Sequence, residues 1–178
     1  YARRGHDFRL LIVGEGYARE ELTALVRELG LKDRITFVGP VYDRDELKKF
    51  YARADLFVFP SIYDNAALVI REAAALYVPS VVVAGSNIAE GLTDGVNAYL
   101  CDNTDESVAD AMERALADDE KRALVGKGAK IALARSWESI VDDVYDRYVD
   151  IIGSYQKKKR RSAYYLKAPG GWIGKGSR

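Results

Sequence analysis

The chain has 178 residues with 27 basic and 27 acidic side chains, but eight of the basic residues and none of the acidic ones lie from Gly153 to Arg178, which leaves 19 basic against 27 acidic, a net of −8, on residues 1–152. The size is that of one domain with an appendage, and an acidic body with a basic tail excludes a protein that coats nucleic acid uniformly. The single cysteine (Cys101) and single histidine (His6) exclude a disulfide framework and multi-histidine or multi-cysteine metal sites.

In chain order, apolar runs alternate with helix-period segments. Phe8 to Val13, FRLLIV, predicts a buried strand that ends at Gly14-Glu15-Gly16. Ala18 to Leu29 places Leu22, Leu25, Val26 and Leu29 at helical spacing, and Gly30 stops it. Arg34 to Val38 predicts a short strand closed by Gly39-Pro40, and Asp43 to Ala54 a helix with Asp43 as its cap. Asp55 to Phe59 predicts a strand, Ala66 to Leu76 an alanine-rich helix, Ser80 to Ala84 a strand, Ser86 to Leu92 a short helix and Asn97 to Cys101 a strand. Three helices follow: Asp105 to Leu116, Glu120 to Ala134 with Asp118 or Asp119 as cap, and Trp137 to Ile152 with Ser136 as cap. Strands separated by helices of this length imply right-handed βαβ units and a parallel sheet, and near-continuous apolar strands fit a sheet covered on both faces.

Residues 153–178 break this pattern with lysine, glycine and aromatics of no clear period; they are read as a basic tail, poorly ordered or packed on the surface. No apolar run approaches the roughly 18 residues of a membrane span, and YARRGHDF is followed by no apolar signal segment. A reducing, cytoplasmic setting is the simplest expectation for one free thiol. Cys101, in AYLCD, reads as a small core hydrophobe rather than a nucleophile, and His6, in a charged segment near the start, is disfavoured as the histidine of a Ser-His-Asp or Cys-His device.

In open α/β sheets, ligands bind at the carboxyl ends of strands, so the turns there are the candidate sites. Gly14-Glu15-Gly16 is either a turn that presents backbone N–H groups to a phosphate or a plain strand-to-helix turn. The third glycine of a dinucleotide fingerprint would fall at Arg19, which disfavours a nicotinamide site. Asp64 and Asn65 open a helix directly after a strand; one of them caps it, or its free N–H groups hold an anion. Glu72 lies inside an alanine- and leucine-rich helix, where a carboxylate needs a partner: a cation from another segment or a ligand. Gly85-Ser86-Asn87 with Glu90 repeats the pattern one strand later, with Glu90 as a solvated residue, a cap partner or a second site carboxylate. A guest with phosphates for helix N-termini and hydroxyls for carboxylates suits both strand ends, and a nucleotide sugar has both.

These residues resemble the C-terminal, nucleotide-sugar-binding domain of the family 4 (group 1) retaining glycosyltransferases, whose fold is the two-domain GT-B. That family carries two glutamates seven residues apart after a strand ending in Pro-Ser; this chain has Pro60-Ser61, Asp64, seven residues, Glu72. It is similar again at Glu72-Ala73-Ala74, Pro79-Ser80-Val81-Val82-Val83, Glu90 with Asp94-Gly95-Val96-Asn97, Leu11-Ile12-Val13-Gly14-Glu15-Gly16 and Val38-Gly39, over roughly residues 8 to 152. The resemblance implies an α/β, Rossmann-like parallel sheet flanked by helices, the C-terminal half of a GT-B fold lacking its first βα unit, with residues 1–152 as the donor-binding domain.

It also implies roles. Glu72 would accept hydrogen bonds from the ribose of a UDP- or GDP-sugar, and Asp64 would face the transferred hexose. Backbone N–H groups of Asn65, Ala66, Ala67 and Leu68 would hold sugar or diphosphate. Gly14, Gly16, Gly85, Ser86 and Glu90 would line the cleft, and Gly39 and Pro40 would flank the base. No metal or cofactor is expected, since helix N-termini and basic side chains neutralise the diphosphate. The partners would be the nucleotide sugar, an N-terminal acceptor domain of the same enzyme and a lipid or glycan acceptor, with no nucleic acid. Branches of the family that act on membrane lipids would give Lys157 to Arg161 an anionic surface to meet.

Four departures stand against this. The first carboxylate is Asp; the usual Gly-Phe-Gly after it is Asn65-Ala66-Ala67; the usual double glycine is Gly85-Ser86; and the family's Arg and Lys for the diphosphate belong to a βα unit upstream of Phe8. Two readings follow: the donor half of a glycosyltransferase, inactive alone, or a degenerate domain used for scaffolding.

Overall fold

The computed structural model describes residues 1–65 and 67–167, with side chains through Lys159. Ala66, named above among the donor-binding residues, and residues 168–178 lie outside the described residues. The chain divides into two compact units, Tyr1–Ala134 and Arg135–Arg178.

The first unit is built of alternating strands and helices: β1 Leu10–Val13, α1 Arg19–Glu28, β2 Ile35–Gly39, α2 Arg44–Arg53, β3 Phe57–Phe59, α3 Leu68–Ala75, β4 Ser80–Val83, β5 Tyr99–Cys101, α4 Asp105–Leu116 and α5 Asp119–Leu133. Short 3-10 helices cover Ala2–Arg4 and Asn87–Ala89. Every strand pairing is parallel, as the βαβ alternation requires. The strands form two sheets, β1-β2 and β3-β4-β5, each with helical crossovers. Leu10 pairs with Ile35, Phe57 with Ser80 and Val81 with Tyr99.

Local chemistry sets the ends. Asp43 caps α2 by accepting from the N–H groups of Asp45 and Glu46, and those bonds hold its carboxyl below the usual carboxylate range. Thr104 caps α4 and Asp118 caps α5 in the same way. The C-terminus of α3 is a Schellman turn: Val78 N–H donates to Ala73 O and Tyr77 N–H to Ala74 O. That turn puts Tyr77 at φ 65°, a left-handed position where glycine is the usual residue.

The core centres on β4, whose four residues are all buried. Alternation along the strand divides it: Val81 and Val83 face Ala111 and Ala115 of α4 and Val125 of α5, while Val82 faces Ile70 of α3 and Ile88. Alanines on α4 let the helix approach the sheet closely. Two glycines do the same on α5, where a Cβ on Gly126 would run into the Tyr77 carbonyl and one on Gly128 into the Val96 carbonyl. The β1-β2 layer has no such cover. No residue of α1 is buried, and Leu22, Leu25 and Leu29 are 40–45% exposed.

The described part of the second unit holds one long helix, α6, Trp137–Lys167. Ser136 Oγ accepts from Ser139 N–H at its start, as expected. The expected end at Ile152 is corrected: the helix runs on through Gly153 and the basic run to Lys167. Lysine and arginine are good helix formers, and the next strong breaker is Pro169. Val141, Val144, Tyr148, Ile151 and Tyr155, at alternating three- and four-residue spacing, stay exposed. Among the described residues, no helix is long and apolar enough to cross a membrane.

Candidate functional site

The sheet delivers the predicted turns to the carboxyl ends of its strands. After β1, Gly14 takes φ 130°, a value open only to glycine, and its N–H donates to Gly39 O at 2.8 Å. That bond ties the turn after β1 to the turn after β2. Gly39 is buried, with Arg19 at its open side: the guanidinium would lie 3.7 Å from a Cβ there. The arginine that breaks the dinucleotide pattern thus packs beside the neighbouring turn, the one after β2.

The next two strand ends are joined as well. After β3, Ser61 Oγ donates to Asp64 Oδ2 at 2.7 Å and accepts from Tyr63 N–H at 3.3 Å. Asn87, after β4, donates from Nδ2 to Asn65 Oδ1 at 2.7 Å. Ser86 Oγ donates to Val83 O, and Gly85 takes φ 74° to make the turn. These bonds bring Asp64, Asn65, Ser86 and Asn87 to one place, although the residues are separated by a helix and a strand in the chain.

Asp64 does not cap α3. The helix begins at Leu68 rather than Ala66, its N-cap is Ala67, and no side chain among the described residues caps its first N–H groups. The reason is local: Ser61 competes for the Asp64 carboxylate from within the same turn. Among the described residues the N-terminus of α3 has no side-chain cap, although Ile70 N–H donates to Ala67 O, and it follows an exposed loop with the positive end of the helix dipole. Leu68 is 62% exposed beside it.

Glu72 finds its partners inside the protein. Tyr51 of α2 donates its hydroxyl to Glu72 Oε2 at 3.2 Å, and Arg44 Nη1 lies 3.6 Å from Oε1. The carboxylate nevertheless keeps a third of its side-chain surface in solvent. Burial, with the Glu72 charge and hydrogen bond adding, pushes the Tyr51 phenol well above its ordinary range, so it remains a donor. Arg71 turns away and donates to Leu133 O. Glu90 is exposed, with no side-chain hydrogen bond among the described residues, and Gly16 and Pro40 are exposed too.

Other singled-out residues prove structural. Cys101 is buried, bonds weakly to Val82 O, and its thiol is pushed up first by burial. His6 pairs with Glu113 of α4 at 2.6 Å, beside Arg4. Asp94 accepts from Leu100 N–H and pairs with Arg114, while Asn97 accepts from Thr93 N–H, so the Asp94–Asn97 motif pins the approach to β5. Sequence reasoning missed Tyr51 and Arg44. The signal available was their helical face: both lie on α2 one strand before Glu72. A second, polar cleft at the end of β5, lined by Ala84, Cys101, Asp102, Asp110 and Arg114, contains none of the predicted site residues. No cluster of three or more metal-ligating side chains occurs among the described residues.

The family described as glycosyl transferases group 1 matches residues 2–132. The chain belongs to this family. A D-inositol 3-phosphate glycosyltransferase of Mycolicibacterium smegmatis is 34% identical over 156 residues, which is 84% of this chain and 35% of that one. Sucrose-phosphate synthase of Thermosynechococcus elongatus superposes with a TM-score of 0.69 at 28% identity, over 82% of this chain and 39% of its own. HepE of Anabaena, solved with UDP-glucose, superposes with a TM-score of 0.65 at 22% identity, over 82% of this chain and 41% of its own, and shares the fold. The chain thus spans about a third of the length of the curated relatives it matches. The α/β architecture with parallel sheets is that of GT-B glycosyltransferases, as the resemblance implied.

Proposed function

We propose that this chain is the nucleotide-sugar-binding part of a retaining glycosyltransferase that takes a UDP- or GDP-sugar, with UDP favoured, and transfers its hexose to a hydroxyl of a lipid or glycan acceptor. One arrangement carries the reading: the N-terminus of α3, without a side-chain cap among the described residues, beside Asp64 and tied to the next strand end through Asn65 and Asn87. The N–H groups of a helix start without a side-chain cap suit a diphosphate. Asp64, exposed and held by Ser61 through Oδ2, suits a sugar hydroxyl, and Glu72, a third exposed, suits a ribose. Gly85, Ser86 and Glu90 border the same strand ends; Gly14 and Gly16, after β1, would line the cleft, and Gly39 and Pro40, after β2, would flank the base. The UDP-glucose complex of HepE and the inositol-phosphate acceptor named for the mycobacterial relative support a nucleotide donor and a hydroxyl acceptor.

The acceptor site and the diphosphate's missing cations would come from further sequence of the same enzyme, so residues 1–178 alone would bind without turning over. The basic run on α6 would meet anionic lipid at about 1 kcal/mol per residue near the surface. A reducing, cytoplasmic setting suits the single buried thiol.

The test is binding to this chain at millimolar nucleotide, read by amide NMR shifts. UDP-glucose should move signals from Asp64 to Glu72 and from Gly85 to Glu90 while leaving α4 and α5 in place. In the full-length enzyme, Glu72→Gln should lower donor affinity about tenfold, the worth of one hydrogen bond to a charged group. Unmoved signals, together with unchanged kinetics in that variant, would leave the degenerate-scaffold reading standing.

A further inference from the structure

Glu72 is flexible by chemistry: three side-chain torsions and an exposed carboxylate, with rotamer freedom to lose before it can hold a ligand. Two groups from α2 reach it, and they are not equivalent. Arg44 is 84% exposed and lies 3.6 Å from Oε1, beyond hydrogen-bond length, so it is a solvent-screened charge of little weight. Tyr51 is 8% exposed, and its ring is packed against Ala73 and Val78. It meets Phe57 of β3 edge-on, with centroids 5.6 Å apart and planes at 68°. A ring fixed on several sides can move its hydroxyl only by moving the core.

We propose that Tyr51 is the positioning residue of the donor site: its core-anchored hydroxyl holds Glu72 Oε2 and turns Oε1 toward the ligand. This rests on the reading of Glu72 as the ribose acceptor. The phenol and a ligand hydroxyl are both donors to the carboxylate; with Tyr51 already on Oε2, Oε1 is the oxygen left open to the nucleotide. Arg44, mobile at the surface, gives way when a hydroxyl arrives at Oε1. The arrangement makes the packing between α2 and α3 part of donor recognition, although no atom of Tyr51 touches the donor.

The experiment is donor-dependent kinetics on the full-length enzyme carrying Tyr51→Phe, Glu72→Gln, both together, or Arg44→Gln. Tyr51→Phe keeps the ring and its packing and removes only the donor. It should raise KM for the nucleotide sugar about fivefold, leave kcat nearly unchanged and add nothing in the Glu72→Gln background, because the two residues act as one unit. Arg44→Gln should change KM less than Tyr51→Phe does, since its exposed charge lies 3.6 Å from Oε1. A normal KM in Tyr51→Phe beside a raised KM in Glu72→Gln overturns the positioning role and keeps the site. An equal rise in the Glu72→Gln background overturns it too, since Tyr51 would then act by another route. A normal KM in Glu72→Gln removes Glu72 from the site, and both readings fall together.

Discussion

The two sheets are written in the same sequence grammar and folded to different depths. Around β4, each apolar residue meets a helix on its own face, and all four residues of the strand are buried. Along β1, burial alternates between half-buried and exposed, with Leu11 at 46% and Val13 at 36% exposure, and α1 buries nothing. An apolar strand with an amphipathic helix is a request for cover, and only the β3-β4-β5 sheet has it on both faces. The lesson concerns sites as well. The turn after β1 rests on a two-stranded layer, whereas Asp64, Glu72 and Ser86 hang from the well-packed sheet. Local opening should therefore begin at β1-β2, and its amides should exchange fastest of any strand.

The largest expected break falls on the well-packed side. Gly126→Ala puts a methyl against the Tyr77 carbonyl, which is backbone and itself fixed in the left-handed turn that ends α3. Helix propensity favours alanine by about 1 kcal/mol, but overpacking at such a contact costs about 3 kcal/mol or more, so the clash wins. Thermal or urea unfolding of the variant should show a net loss of at least about 2 kcal/mol. A neutral or stabilised Gly126→Ala would mean that α3 and α5 are less tightly joined than their backbones imply.

A pair of truncations sharpens the contrast. Val81→Ala removes two methyl groups at a fully buried position and should cost about 2 kcal/mol. Leu25→Ala removes a larger side chain from α1, yet at 45% exposure it should shift stability by less than about 0.5 kcal/mol in this chain. The same Leu25→Ala in the full-length enzyme is a direct probe of cover. A cost near that of Val81→Ala there would show that further sequence packs on α1, and an unchanged value would show that this face stays in water.

What could be read from the sequence follows the same division. Strand and helix order, the Asp43, Asp118 and Ser136 caps and the buried Cys101 were legible because each rests on neighbours in sequence. The fate of Asp64 was not, because Ser61 and the helix N-terminus compete for one carboxylate and spacing does not decide between them. The partners of Glu72 were hidden for another reason: Tyr51 reads as one more apolar position of α2, and only the packing of α2 on α3 turns its hydroxyl toward the carboxylate. The end of α6 is not legible, because composition changes at Gly153 while the lysines and arginines beyond it still favour helix.

Tyr99→Phe tests whether the well-packed sheet has a flaw of its own. Tyr99 on β5 is 2% exposed, and its hydroxyl has no hydrogen-bond partner among the described residues. Burial raises its pKa, with Arg122, Asp118, Arg114 and Asp94 acting on it from nearby in opposite senses. A buried hydroxyl without a partner costs about 1–3 kcal/mol relative to water, whereas the ring itself fills a core position that phenylalanine would fill equally. Tyr99→Phe should therefore be neutral or stabilising by up to about 1 kcal/mol, with an unchanged urea m-value. A loss of stability would show that the hydroxyl is satisfied in solution, by a buried water or by a rearranged Arg122, and the β3-β4-β5 sheet would then be complete in a way its side chains alone do not reveal.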